Sequence, residues 1–186
     1  MRTCGSCTLC CKLVPVEELS KKAGTRCQHV RAMKGCSIYA HRPISCREWS
    51  CMWLVGTEDG APLDLRRPDH VHYVIDITPD IVRARDNQTG EIVGERMVMQ
   101  IWVDPKHPDA WQDPDLLDML ERGNITALIR YSETEAFGLF PPGATNTGKW
   151  ERSDNNETSS DASLEAARLK VRSEFFSKGS GQTKEQ

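Results

Sequence analysis

The chain has 186 residues, of which 38% are hydrophobic and 27% charged, with a net charge of −3. That size suits one domain, or one domain with a small appendage, and no apolar run reaches the roughly 18 residues of a membrane helix, so no membrane partner is expected. All eight cysteines fall before residue 52, which argues against disulfides spread over a secreted fold and against thiols scattered through a core.

Residues 1–55 form the cysteine module. Little helical or strand periodicity is visible there. Pro15 to Leu19 fits one helical turn with acids in its first turn, and Pro43 can start a second short helix. No apolar stretch precedes Cys4, which leads to the expectation of a cytoplasmic protein. Residues 1–53 carry a charge of +6, residues 54–150 carry −8 and residues 151–186 carry −1. A basic segment can mark a nucleic-acid patch. It can equally be the shell that balances anionic thiolates, and that reading is favoured.

Residues 56–143 read as an α+β body. Val71, Tyr73, Ile75 and Ile77 alternate with polar residues at strand period. Pro79-Asp80 reads as a turn and Ile81 to Arg85 as a second short strand. Asp86 to Gly90 is a loop of turn formers. Val93 to Val103 is the longest strand candidate. A helix is predicted at 114–122, with Asp113 as N-cap, Pro114 at its first position and Gly123 at its stop. Asn124 to Tyr131 and Ala136 to Phe140 complete four or five strands. Residues 144–160 are predicted as a flexible linker. Leu164, Ala167, Val171 and Phe175 recur at helical spacing, predicting a helix at 161–177. Residues 178–186 are a predicted disordered tail. The expected architecture is therefore α+β, with a loop-rich, metal-stapled module packed on a small, largely antiparallel sheet with one or two helices. A module with so little core of its own needs a staple.

The chemistry concentrates in Cys4-x2-Cys7-x2-Cys10-Cys11. A C-x2-C turn brings two sulfurs toward one centre, and Gly5 eases that turn. The run of three resembles the loop that bacterial ferredoxins use for iron–sulfur ligation, with a remote fourth cysteine. Zinc sites more often use two separated pairs, and the nearest second pair here is Cys46-x4-Cys51. Neighbouring side chains diverge, so Cys10 and Cys11 suit two adjoining sites better than one. The candidate metal ligands are Cys4, Cys7, Cys10, Cys11, Cys27, Cys36, Cys46 and Cys51, in one site or two. The expected cofactor is an iron–sulfur cluster, [4Fe–4S] among the forms considered, or zinc. His29 and His41 are alternative ligands, each better read as ordinary packing or surface residues.

This pattern, with Gly35-Cys36-Ser37-Ile38-Tyr39, Arg42-Pro43, Cys46-Arg47 and Cys51, resembles the YkgJ-type CxxCxxCC family over residues 4–53. That family is described as zinc- or iron-chelating with eight cysteines. The resemblance implies a bound metal or cluster. Arg42 and Arg47 would then neutralise thiolate charge at the cofactor, and Tyr39 would pack over it. Some larger relatives are flagellin lysine methylases, but this chain lacks a Gly-rich nucleotide motif and that activity is not carried over.

Elsewhere, His70-Val71-His72 would place two rings on one side of a strand, a pattern that can bind metal. Asp104, Asp109, Asp113, Asp115 and Asp118 are better read as solvated or capping carboxylates than as a cation site. No catalytic residue is identifiable and enzyme status stays open. The function expected is a metal-binding cysteine-cluster protein, structural or electron-transferring. The alternatives are a cluster-dependent enzyme with substrate on the α+β body, or a zinc-stabilised module binding protein or nucleic acid through its basic face.

Overall fold

The computed structural model describes residues 2–31, 34–56, 65–86, 88–154 and 157–158. The predicted helix at 161–177 and tail at 178–186 lie outside these residues. Among the described residues the main sheet has six strands in the order β7-β6-β5-β4-β3-β8: β3 is Tyr73–Arg85, β4 Ile92–Val103, β5 Ala127–Arg130, β6 Ala136–Phe140, β7 Glu151–Ser153 and β8 Glu157–Thr158. The last two strands arise within 144–160. A second sheet is the short hairpin of β1, Val30–Arg31, and β2, Gly35–Cys36.

β3 and β4 form the long central hairpin. Its turn is held by Asp86, whose carboxylate accepts the amides of Gln88 and Thr89 at 2.8 Å each. Pro79 does not end β3. The strand runs through it with a register shift between Ile75 and Pro79. Proline cannot donate to a ladder, so it sits at an irregularity. Two aspartates service that irregularity. Asp76 accepts the Thr78 amide at 2.7 Å, and the fully buried Asp80 accepts Ile81 N–H at 2.8 Å and Arg130 Nη2 at 3.1 Å.

The helix expected at 114–122 is α5, Pro114–Arg122; Asp113 caps it by accepting Asp115 N–H at 3.0 Å. Four shorter helices precede it: α1 Cys10–Leu13, α2 Ile44–Glu48, α3 Met52–Val55 and α4 Pro68–Val71. The expected architecture is corrected in two respects. Five α-helices, not one or two, occur among the described residues, and the sheet is mixed rather than largely antiparallel. Helices of four or five residues are too short to show a 3.6-residue period. The mixed character comes from α5, which serves as a crossover and returns the chain so that β5 lies parallel to β4.

Side-chain alternation gives the sheet two covered faces. Tyr73, Ile75, Ile101 and Ile129 face α5, packing with Leu116, Met119 and Leu120. Val74 and Trp102 are cross-strand partners pointing the other way. Against them pack Cys7, Leu9, Leu13 and Cys51 of the cysteine module. Polar ties flank this contact: Lys12 Nζ reaches both Asp104 oxygens at 2.5 and 2.6 Å, and Arg2 Nη1 donates to Trp53 O at 3.0 Å. No helix among the described residues is long and apolar enough to cross a membrane.

Leu13 is 1% exposed at the centre of the module–sheet contact. Leu13→Ala should cost about 2–5 kcal/mol. Urea unfolding monitored by tryptophan fluorescence measures this, and a cost near zero would show that the module does not depend on the sheet.

Candidate functional site

The cysteine module is assembled from turns, one hairpin and short helices. Gly5 adopts φ +52°, and the Cys7 amide donates to Cys4 O at 2.8 Å, closing the first turn. Gly35 has φ +79°, and a Cβ there would lie 2.7 Å from Gly5 O. Glycine is therefore required where β2 meets the first cysteine turn. α1 carries Cys10 and Cys11, and the Cys27 amide donates to Cys11 O at 2.9 Å. Pro43 precedes α2 as expected, and Glu18 caps that helix by accepting Ser45 N–H at 3.0 Å and Ser45 Oγ–H at 2.7 Å. Cys51 forms an isolated antiparallel bridge with Asp76 of β3.

These elements surround one cavity of about 220 Å³, lined by Cys4, Cys7, Cys10, Cys11, Cys27, Cys36, Cys46 and Cys51 together with Tyr39, Arg42 and Arg47. All eight cysteines are free thiols. Tyr39 is 49% exposed at the rim, and the Arg42 guanidinium stands 3.8 Å over its ring while Arg42 Nε donates to Tyr39 O at 3.0 Å.

The thiols are electrostatically unequal. The Cys11 thiol is held down to about 7, first by a hydrogen bond from the Cys10 thiol and then by the charges of Lys21 and Arg42, which together outweigh its burial. Cys10 is pushed well up by that same bond, by burial, and by the neighbouring Cys11, Cys51 and Cys4. Burial pushes Cys51 up to about 11 and raises Cys4, Cys7 and Cys46. Charge and thiolate character therefore concentrate at Cys11.

Lys21 was not foreseen. Val16 and Lys21 bridge across a tight loop, and the buried Nζ donates to Lys12 O at 3.1 Å, Val14 O at 2.5 Å and Lys22 O at 3.2 Å. The three carbonyls fix a cation beside the thiols. Burial lowers the Lys21 ammonium, while the nearby Cys27, Cys11 and Cys10 favour its charged form. In sequence Lys21 is one of a Lys-Lys pair, which reads as solvated surface. Asp76 was also missed. It is 7% exposed, burial raises its carboxyl, and the indole N–H groups of Trp49 and Trp102 favour its charged form without meeting hydrogen-bond geometry.

The expected metal chemistry is corrected here. The thiols line the walls of the cavity, and among the described residues no group of three or more His, Cys, Asp or Glu is placed to hold a metal ion. The donor set does not fit the iron–sulfur cluster or the zinc expected from the spacing. The structural, electron-transfer, cluster-enzyme and zinc-module readings fall with it, as does a metal ion or cluster as partner. The physical reason is the backbone path. The third and fourth cysteines of the run start a helix, where adjacent side chains diverge. The His-x-His pair is corrected too. His70 lies in α4 and His72 is its left-handed cap at φ +63°, stacked on His107 at 3.6 Å, so the two do not share a strand face. Asp113 and Asp104 serve as helix cap and ion-pair partner.

No family model, no curated protein and no solved structure matches the chain. The resemblance to the YkgJ-type family is therefore unsupported, both by that result and by the ligand geometry.

Alkylation should order the thiols. The rate at Cys11 should rise with pH and reach half its plateau near pH 7, while Cys51 should stay unreactive until about pH 11. Lys21→Met removes a cation that favours the thiolate, so the Cys11 midpoint should move upward. Isotope-coded iodoacetamide with peptide mass spectrometry checks both; equal midpoints at Cys11 and Cys51 would contradict this ordering.

Proposed function

We propose that the cysteine module is a thiol redox site that reduces disulfides by thiol–disulfide exchange. The carrying observation is that eight free thiols line one cavity. On this reading residues 1–55 are the reactive module and 56–143 its scaffold. The protein works in the cytoplasm, where the glutathione and thioredoxin systems keep thiols reduced.

The Cys11 thiolate attacks one sulfur of a substrate disulfide, forming a mixed disulfide and expelling the other half as a thiolate. A second module thiol, deprotonated, then attacks the Cys11 sulfur and expels the remaining half. Two protein thiols lose two electrons and form one disulfide, and the substrate becomes two thiols. A small-molecule or protein dithiol reductant returns the module to its starting state. The neighbouring Cys10 thiol favours the Cys11 thiolate. Cys10 is a poor resolving partner, because a bridge between adjacent residues strains the usual disulfide geometry. Cys4 and Cys46 sense the Cys11 charge, and Cys27 is tied to Cys11 through its backbone. These three are the resolving candidates.

The neutral hydroxyethyl disulfide tests the reading. Reduced protein should release about two thiols for each protein disulfide formed. Cys11→Ser should slow the first release by about tenfold or more, since burial raises the pKa of Cys4, Cys7, Cys46 and Cys51 and leaves them less thiolate. Absent thiol release, or an unchanged rate in Cys11→Ser, would overturn it.

A further inference from the structure

We propose that the thiol cavity selects anionic disulfides, an inference that rests on the exchange reading above. The cavity wall carries charge of one sign. Arg42 and Arg47 line it, and among the described residues no carboxylate does. Arg42 is committed to Tyr39 through its ring contact and hydrogen bond. Arg47 is exposed, and its guanidinium forms no ion pair or hydrogen bond among the described residues. It is a cation on the cavity wall available to a ligand.

The surroundings extend the same field. Arg26 adjoins Cys27, and Arg31 and Lys34 belong to the β1–β2 hairpin that supplies Cys36. All three are exposed and without ion pairs among the described residues. Of the module's acids, Glu18 accepts from Ser45 and its charge reaches Cys46, while neither Glu17 nor Glu48 lines the wall. A low-dielectric cleft lined by one sign of charge focuses its field and raises the encounter rate of oppositely charged ligands, by about 10-fold to 1,000-fold in strong cases. A cavity of about 220 Å³ admits the scissile half of a small molecule and not a folded partner. The chemical class that fits is a small disulfide bearing carboxylates. An attacking thiolate and an anionic substrate repel each other. Arg42, whose charge bears on both Cys4 and Cys11, and Arg47 on the cavity wall offset that repulsion at the point of attack.

Three disulfides of similar size separate the claims: dithiodiglycolate, which is anionic; cystamine, which is cationic; and hydroxyethyl disulfide, which is neutral. Each rate is divided by the rate with a free small thiolate, which removes intrinsic leaving-group differences. The normalised order should be anionic, then neutral, then cationic, with about tenfold or more between the ends at low salt. High salt should collapse that gap. Arg47→Glu should lower the ratio of the anionic rate to the cationic rate, and Arg47→Lys should restore it. A salt-independent order, or equal normalised rates for all three disulfides, would overturn the charge selection while leaving the exchange reading standing. Failure of every disulfide to react would remove both.

Discussion

The structure depends on one contact: the packing of Leu13, Cys7 and Cys51 of the cysteine module on Val74 and Trp102 of the central hairpin. A segment of about fifty residues, mostly turns and four-residue helices, buries too little apolar surface to hold itself. Here the sheet supplies the missing part of the core, Val74 and Trp102. Each fully buried aliphatic side chain in such a contact contributes about 1.5–3 kcal/mol. The sheet can offer that face because α5 already covers the other one. Where the module and α5 cover them, its central strands carry apolar side chains on both faces: Val74 and Trp102 on one, Ile75 and Ile101 on the other.

That contact also fixes the chemistry. Seating the module on the sheet buries the cysteines on that side, and burial disfavours thiolates. Cys7 and Cys51, in the contact itself, are raised for this reason first. Cys11 escapes because the folded loop brings Lys21 and Arg42 to it and because Cys10 donates a hydrogen bond to it. One cavity thus holds thiols of unequal acidity, Cys11 below the usual thiol range and Cys4, Cys7, Cys46 and Cys51 above it. Lys21 is fixed by three carbonyls of residues 12, 14 and 22, so its charge cannot swing away to solvent.

Much of the body was legible in the sequence. Asp113, Pro114 and Gly123 bracket α5, and the apolar runs mark β4 and β6, because caps and periodicity are local signals. Pro79 misled, since a bulge and a turn use the same residues, and only the pairing with β4 separates them. The parallel β4–β5 pairing was illegible for the same reason: strand direction is set by where α5 lands, not by the strand's own residues. In the module, the cysteine spacing did mark the residues that line the cavity. It did not say what their geometry can do. Spacing fixes which sulfurs can meet, but the start of a helix at Cys10 decides that they do not converge as a ligand set. The expectation of a metal staple also rested on counting the module's core alone, when two of the six buried residues of that core, Val74 and Trp102, come from the sheet.

The central claim is that thiols far apart in sequence face one another across a single cavity and act there as thiols. Mapping the disulfides formed by limited oxidation with a neutral disulfide, by mass spectrometry of the non-reduced monomer, tests this most directly. The account predicts intramolecular bonds joining Cys11 to Cys4, Cys27 or Cys46. Bonds between molecules only, or intramolecular bonds that exclude Cys11, would contradict it.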